Sequence, residues 1–173
     1  MGTEIVLNDE LIGIISDTHD NIYLIDKAVK TLNELGVCLV LHAGDYISPF
    51  TVQHFWPLNA KLIGVYGNNC AERIVLKKLF LEIGAELRDF FAELHMDGLK
   101  IALLHGHDEK LLNSTIESGT FDLVVYGHTH RAEVKKNRKT LVVNPGEVCG
   151  YLSSRSTIAT FNLKTRDVEI ILI

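Results

Sequence analysis

The chain has 173 residues, of which 47% are hydrophobic and 23% are charged, and this composition is typical of a globular protein with one sizeable core. We therefore expect a single domain over residues 1–173. The net charge of −5 disfavours bulk binding of nucleic acid, because such binding depends on counterion release by a basic surface.

The cysteines and the N-terminus indicate the compartment. Cys38, Cys70 and Cys149 show no CxxC spacing, and their odd number leaves at least one thiol unpaired, as a reducing compartment allows. The N-terminus has no basic segment followed by an apolar core, and no apolar run approaches the ~18 residues of a membrane span. We predict a cytoplasmic protein with no signal peptide and no membrane contact.

Strands and helices alternate in the first half of the chain. An apolar run over residues 11–16 is followed by apolar residues at helical spacing, which begin after a predicted N-cap at Asn21 and stop at Gly36. The pattern continues with a strand in VCLVLHAGD, a short helix over residues 49–56, a strand in KLIGVYGNN and a helix over residues 72–83. This alternation predicts a largely parallel sheet.

Hairpins dominate the second half. The segment AELHMDGLKIALLHGH contains Asp97-Gly98, a dipeptide that favours a tight β-turn. The segments AEVKKNRKTLVVNPG and STIATFNLKTRDVEIILI each contain two apolar runs around a polar turn. We expect these antiparallel strands to add a second sheet, which gives an α/β sandwich of two sheets flanked by helices.

Five predicted strands end in side chains that can bind metal ions. In VVYGHTHRAEV, for example, an apolar run stops at Gly127 and two histidines follow. Ligands of open α/β sheets bind beyond the carboxyl ends of the strands, so we expect these side chains to converge. They are Asp17, His19, Asp45, Asn68, His105, His128 and His130.

The ligand types indicate a centre with two ions. Imidazole, carboxylate and amide oxygen together suit Mn, Fe, Ni or Zn, and seven such groups are too many for one ion. Two ions that share one carboxylate would use them all. Each motif alone is also a common turn sequence. What favours a site is that six of the eight histidines lie at these strand ends, whereas only His54 and His95 lie elsewhere.

The ordered motifs DTH, HAGD, YGNN, HGH, GHTH and NPGE run from residue 17 to residue 147. In this order they resemble the calcineurin-like metallophosphoesterases, and in particular their small single-domain phosphodiesterase branch. The resemblance implies a four-layer α/β/β/α sandwich. It also implies a first metal bound by Asp17, His19 and His130, a second bound by Asn68, His105 and His128, and Asp45 as the bridge.

The resemblance implies a hydrolase that cleaves small phosphodiesters through attack by a hydroxide bridging two divalent ions. Mn²⁺ is the first expectation for the metal, and Mg²⁺, Ni²⁺, Fe and Zn²⁺ are the alternatives. The same fold also serves as a protein-interaction scaffold in the retromer, so a scaffold with weak or no catalysis is the alternative function. A homodimer or homotetramer is left open. A serine or cysteine hydrolase finds no support, because GxSxG is absent.

One departure from the family concerns the proton donor. Many relatives have a histidine after the motif asparagine, where this chain has Asn69. We predict substrate contacts for Asn69 and for His107, with a turn residue and a solvated histidine as the alternatives. Cys70 is expected to be packed rather than a ligand, and His42 to contact a core or supporting partner. No catalytic acid is assigned.

Overall fold

Two six-stranded sheets form the centre of the fold. The computed structural model describes residues 4–5 and 10–173. The strands are β1 (Glu4–Ile5), β2 (Leu11–Ile15), β3 (Leu39–His42), β4 (Lys61–Val65), β5 (Glu86–Arg88), β6 (Phe91–Met96), β7 (Leu99–Leu104), β8 (Leu123–Val125), β9 (Ala132–Asn137), β10 (Thr140–Pro145), β11 (Thr157–Asn162) and β12 (Val168–Leu172). The helices are α1 (Ile22–Glu34), α2 (Arg73–Glu82) and α3 (Glu109–Glu117), with a 3₁₀ helix at Pro49–Phe55.

The first sheet has the strand order β12-β11-β2-β3-β4-β5. Strands β2 to β5 are parallel, as the alternating pattern predicted. The predicted N-cap of α1 is also confirmed, because the Asn21 side chain accepts a hydrogen bond from the backbone N–H of Leu24. Parallel strands joined by helices place their carboxyl ends at one edge of the sheet.

The second sheet is mixed, with the order β1-β6-β7-β8-β10-β9. Its centre is parallel, because β8 lies between β7 and β10 and runs in their direction. The hairpins β6–β7 and β9–β10 are antiparallel. Asp97 and Gly98 have φ values of 46° and 73°, which is the left-handed geometry that a two-residue type I′ turn requires. Both hairpins were predicted.

Two features differ from the sequence prediction. The last hairpin, β11–β12, was expected in the second sheet, but β11 pairs antiparallel with β2 in the first. An apolar pattern shows that two strands pair with each other and does not show which sheet they join. Helix α3 was not predicted, because its sequence is mostly polar and it buries only Thr115 and Ile116.

Three apolar clusters define the layers. One fills the space between the two sheets. A second packs α1 and α2 against the outer face of the first sheet, and a third packs α3 against the outer face of the second sheet. The four-layer α/β/β/α sandwich is therefore confirmed. Among the described residues, no helix combines the length and apolarity that crossing a bilayer requires.

Candidate metal centre

The carboxyl ends of β2, β3, β4, β7 and β8 meet at one edge of the sandwich. Within the first sheet, the backbone N–H of Asp17 donates to the carbonyl of Gly44 at 3.0 Å. Between the sheets, His105 Nδ1 lies 2.8 Å from the carbonyl oxygen of Ala43. These bonds join loops that are far apart in sequence, so polar groups from both sheets face a common space.

Asp17, His19 and His130 form the first cluster. Their donor atoms lie within 4.8 Å of one another. His130 Nε2 is 3.4 Å and His19 Nε2 is 3.6 Å from Asp17 Oδ1. Asp17 Oδ1 and His19 Nε2 are buried and have no hydrogen-bond partner among the residues that the structure describes. Buried polar atoms are rarely left in this state, so these two indicate a ligand.

Asp45, His105 and Asn68 form a second cluster beside the first. His105 Nε2 lies 3.2 Å from Asp45 Oδ2 and 3.0 Å from Asn68 Oδ1. His19 Nε2 is 3.5 Å from Asp45 Oδ2, so the Asp45 carboxylate lies between the two clusters. When His105 Nδ1–H donates to a carbonyl, its Nε2 is directed at these oxygens, as in metal-ligating histidines.

His128 completes the predicted set at the rim of the site. Its ring centroid is 5.1 Å from that of His105, and its backbone N–H donates to Asp17 Oδ2 at 3.0 Å. The side chain is exposed and is outside the groups of closely spaced donor atoms. The structure therefore brings all seven predicted side chains to one edge, with His128 the most peripheral.

The chain approaches the Asp45 carboxylate so closely that only glycine fits at Gly67. A Cβ atom there would lie 2.0 Å from Asp45 Oδ1 and 2.6 Å from the Asp45 backbone nitrogen. Gly127 is similar, because its Cβ would lie 1.9 Å from Ser16 Oγ. These glycines explain why the ligand motifs have the form Gly-Asn and Gly-His.

The backbone at the candidate ligands is mostly left-handed. Five of the seven positions have a positive φ, although none is glycine. They are Asp17 at 53°, His19 at 39°, Asp45 at 62°, His128 at 66° and His130 at 59°. All five positions lie in the loops that follow β2, β3 and β8, at the edge where the candidate ligands converge.

The electrostatics keep Asp45 ionised. Burial raises the pKa of Asp45, but its interactions with His105 and the hydrogen bonds from Asn69 outweigh burial and hold this pKa well below its usual range. Burial lowers the pKa of His105, but Asp45 outweighs it, so the net shift is upward. Burial and the neighbouring His105 lower the pKa of His128. The site therefore combines a permanent carboxylate with imidazoles that differ in basicity.

Glu147 is a residue of the site that the sequence analysis missed. It is fully buried, and its Oε2 accepts a hydrogen bond from His130 Nδ1 at 2.7 Å. Burial raises the pKa of Glu147, but hydrogen bonds from Cys149, His130 and Ser153 outweigh burial and lower it to about 2. The carboxylate fixes the tautomer of His130, so that Nε2 faces Asp17. The only sequence signal was the NPGE motif.

Glu147 and Cys149 also lie close enough to His130 to form a possible metal-ligand group. Both oxygens of Glu147 are already occupied, because they accept from the backbone N–H groups of Tyr151, Leu152 and Ser153 and from Cys149 Sγ. Burial raises the pKa of the Cys149 thiol. This group therefore holds His130 in place and is not a separate metal site.

Four further residues were singled out by the sequence. Asn69 donates from its backbone and side-chain nitrogens to the two oxygens of Asp45, each at 2.8 Å. An amide carries two side-chain N–H protons, so its predicted substrate contact remains a prediction. His107 is exposed, and its ring centroid is 5.6 Å from that of His105. Its substrate contact also remains a prediction.

Cys70 and His42 have structural roles. The buried Cys70 Sγ accepts a hydrogen bond from the backbone N–H of Gly67 at 3.3 Å. His42 is buried, and its ring centroid lies 4.0 Å from that of Tyr46. Its Nδ1 accepts a hydrogen bond from the Gly44 N–H at 3.1 Å. Both predictions of a packed or supporting role agree with these contacts.

The donor set fits divalent cations. Imidazole nitrogen, carboxylate and amide oxygen converge in two adjacent clusters. In the first cluster, two buried ligand atoms have no hydrogen-bond partner among the described residues. In the second, a ring nitrogen faces two oxygens at hydrogen-bond distance. A cation would satisfy these acceptors together, as mixed N/O ligand sets do for first-row metals.

Comparison with known proteins supports this interpretation. A family model described as the calcineurin-like phosphoesterase superfamily domain matches residues 11–166. A curated phosphodiesterase of Methanocaldococcus jannaschii is 42% identical over 163 residues, which cover 93% of this chain and 98% of that protein. The solved structure of an archaeal phosphodiesterase has a TM-score of 0.90 at 40% identity, over 94% of this chain and 99% of that one. Vps29 of Chaetomium thermophilum has a TM-score of 0.69 at 15% identity, over 95% of this chain and 96% of that one, which shows the fold alone.

Proposed function

Because the chain belongs to the calcineurin-like phosphoesterase superfamily, we propose that it is a metal-dependent phosphodiesterase. The observation that carries this proposal is the convergence of seven candidate ligands at one edge of the sandwich, where two buried ligand atoms have no hydrogen-bond partner among the described residues. The relative from Methanocaldococcus jannaschii, named as a phosphodiesterase, supports the reaction class.

We assign two divalent ions to the site, with Mn²⁺ as the first candidate. Asp17, His19 and His130 would hold one ion, Asn68, His105 and His128 the other, and Asp45 would be shared. The ions would polarise the phosphate oxygens and supply a nucleophile from water at neutral pH. The position of Asp45 between both clusters supports the bridging role.

The chain's own residues hold this ligand set in place. Asn69 fixes the Asp45 carboxylate with two hydrogen bonds, and Glu147 fixes His130 with one. The carbonyl of Ala43 fixes His105. Rigid ligands hold the reacting groups in a productive geometry, which is a large part of the rate advantage in such sites.

The charge of the site favours diesters over monoesters. Two divalent ions with Asp17, Asp45 and a hydroxide leave a charge of about +1, which a monoanionic diester neutralises. With the ionised Glu147 behind His130 the count falls to about 0, so a bound diester leaves about −1 and a bound dianionic monoester about −2. A dianionic monoester would therefore be less well matched than a diester.

The site offers no evident general acid. Asn69 cannot supply a proton at neutral pH. His107 is the nearest candidate, and we propose that it and Asn69 contact the substrate.

The buried Cys70 and Cys149, neither of which forms a disulfide, support the proposed cytoplasmic location.

The proposal is tested with metal analysis and a pair of substrates. Protein loaded with Mn²⁺ should bind about two ions per chain and should hydrolyse bis(p-nitrophenyl) phosphate faster than p-nitrophenyl phosphate. Asp45→Asn should lower turnover more than about a hundredfold, which is the upper range for losing a partner outside the ligand set. Glu133→Gln, at a half-buried position on β9, is the control and should keep wild-type turnover.

The alternative function predicts the opposite results. A scaffold would show little or no turnover of either ester, even when it is loaded with Mn²⁺. A preference for the monoester would overturn the charge argument, whereas it would leave the phosphoesterase assignment intact.

A further inference from the structure

A cavity of about 240 Å³ lies directly beside the candidate metal centre. It is lined by Phe90, Leu104, His105, Gly106, His107, Asp108 and Leu111, and we call it the aryl pocket. His105 belongs both to this pocket and to the second cluster. A group attached to a phosphate bound at the centre could therefore enter the pocket without leaving the site.

The far wall of the aryl pocket is apolar. Phe90 and Leu111 are each 37% exposed, although both are large hydrophobic side chains, and Leu104 is buried behind them. Exposed apolar surface within a concave site is typical of ligand binding. The volume is below the ~300–1,000 Å³ of pockets for drug-sized ligands, so it suits a single ring system.

The Phe90 ring is held in place before any ligand binds. The Arg73 guanidinium carbon lies 4.6 Å from its centroid, and the Tyr66 ring centroid is 5.9 Å away. Arg73 is itself anchored, because its Nε donates to the carbonyl of Cys70 at 3.3 Å. A fixed aromatic ring loses little conformational entropy on binding, which makes it an effective contact for another planar group.

Aromatic rings connect the aryl pocket to the metal centre. The centroid of Phe90 is 5.9 Å from that of His107, and the centroid of His107 is 6.2 Å from that of His128. At such separations planar rings attract one another in offset or edge-to-face arrangements. The pocket thus presents ring surfaces from its far wall to the proposed ligands.

One charged group of each sign, Asp108 and Arg73, lies beside the aryl pocket. The Asp108 side chain lines the cavity and is fixed there, because its Oδ1 accepts from the backbone N–H of Leu111 at 3.0 Å. A carboxylate at this position repels a phosphate or carboxylate and tolerates a neutral ring. The Arg73 guanidinium over Phe90 opposes this repulsion, so the preference for a planar group rests on the ring surfaces of the pocket.

We propose that the aryl pocket binds a planar aromatic group that is ester-linked to the scissile phosphate. This inference rests on the proposed phosphodiesterase function and specifies its substrate class. The ring comes from one of two sources, a simple aryl group or the base of a nucleoside, and both offer the same planar surface.

Calorimetry on the Mn²⁺-loaded protein tests the proposal without any turnover. Phenylphosphonate and methylphosphonate carry the same headgroup, and only the first has a ring. Wild-type protein should bind phenylphosphonate about tenfold more tightly or better, as ring stacking provides. Phe90→Ala should reduce this ratio to within about twofold, and the affinity for methylphosphonate should not change. Phe90→Leu should give an intermediate ratio and confirms that the position tolerates substitution.

Phe50→Ala is the matched control. Phe50 is 53% exposed and lines a different cavity with Trp56 and Leu79, so its loss should leave both affinities unchanged. A second pair, adenosine 5′-monophosphate and ribose 5-phosphate, distinguishes the sources. A preference for the nucleotide that Phe90→Ala removes identifies a base, whereas a preference in the phosphonate pair alone identifies a simple aryl group.

The outcomes separate this inference from the proposed function. Equal affinities for the two phosphonates, in a protein that hydrolyses bis(p-nitrophenyl) phosphate, would overturn the aryl pocket alone. A ring preference that depends on Phe90, in a protein without hydrolytic activity, would support the pocket and overturn the proposed function. Failure of both phosphonates to bind, in a protein that also leaves bis(p-nitrophenyl) phosphate intact, would overturn both.

Discussion

Replacing Glu147 by glutamine should weaken both the fold and the metal centre. The carboxylate is fully buried and accepts hydrogen bonds on both oxygens, from the loop of residues 151–153 on one side and from His130 on the other. Glutamine has the same shape, but its NH₂ group cannot accept a hydrogen bond. Whichever way the amide turns, donors that now face an oxygen will face a nitrogen.

The size of the effect follows from the number of orphaned donors. If the NH₂ group takes the position of Oε1, the N–H of Ser153 loses its acceptor, whereas that of Leu152 keeps Oε2 at 3.2 Å. If it takes the position of Oε2, His130, Tyr151 and the Cys149 thiol lose theirs. An orphaned buried donor costs about 1–3 kcal/mol, so the orientation that orphans only the Ser153 N–H should lower the free energy of unfolding by about 1–3 kcal/mol. Domains typically have a free energy of unfolding of about 5–15 kcal/mol, so the variant should still fold.

Two measurements check this prediction at neutral pH. Urea denaturation should show the loss of stability, and calorimetric titration should show Mn²⁺ affinity reduced about 10–100-fold, as when a partner of a ligating histidine is lost. Glu133→Gln is the control, because the half-buried Glu133 bonds the Tyr126 hydroxyl and the exposed Lys135. Wild-type stability and Mn²⁺ affinity in Glu147→Gln would refute the role that we assign to Glu147.

The same variant has a specific pH signature. The pKa of Glu147 falls from its ordinary 4.5 to about 2 in the folded protein. The associated stabilisation is therefore fully present above pH 4.5 and is lost as the pH falls from about 4.5 to about 2. Glu147→Gln lacks this contribution, so the stability difference between wild type and variant should shrink across that window. A constant difference would show that the Glu147 carboxylate is not the cause.

The remaining predictions concern the centre and the proton. Gly67→Ala should lower turnover and Mn²⁺ affinity at least about tenfold and cost about 1–3 kcal/mol of stability, because its Cβ would lie 2.0 Å from Asp45 Oδ1; unchanged kinetics and metal affinity would show that the contact is not tight. Turnover of a series of aryl methyl phosphates should depend steeply on the pKa of the leaving group, because no general acid protonates it. A flat dependence would reveal a proton donor, and loss of that flat profile in His107→Asn would identify it.

Local sequence patterns were sufficient to predict the elements that depend on residues close together in the chain. The alternation of strands and helices, the Asn21 cap and the Asp97-Gly98 turn all follow from neighbours in sequence. The attachment of β11 to β2 could not be predicted in this way, because their pairing joins residues near 12 to residues near 160. Helix α3 was missed because its polar surface lacks apolar periodicity, although Asp108 caps it.

The part of the candidate site that could be predicted from the sequence is the set of side chains that directly follow strands. Metal-binding side chains after parallel strands must meet at one edge, so a single sequence could place all seven together. Glu147 could not be found in the same way, because its role depends on contacts with His130 and with the loop that follows. The aryl pocket also required the structure, because Phe90 and His107 are distant in sequence and lie on different loops.

The left-handed backbone at five candidate ligands bears on how such a centre persists over evolutionary time. A residue with a Cβ atom pays about 1 kcal/mol or more in this conformation, and glycine adopts it without strain. Replacement by glycine would therefore relieve backbone strain in the metal-free protein at five positions, which are Asp17, His19, Asp45, His128 and His130. Selection for stability alone would favour glycine at each of these positions and would remove the candidate ligands one by one. If these five side chains hold metal ions as proposed, the binding would offset the backbone cost of about 1 kcal/mol or more at each position.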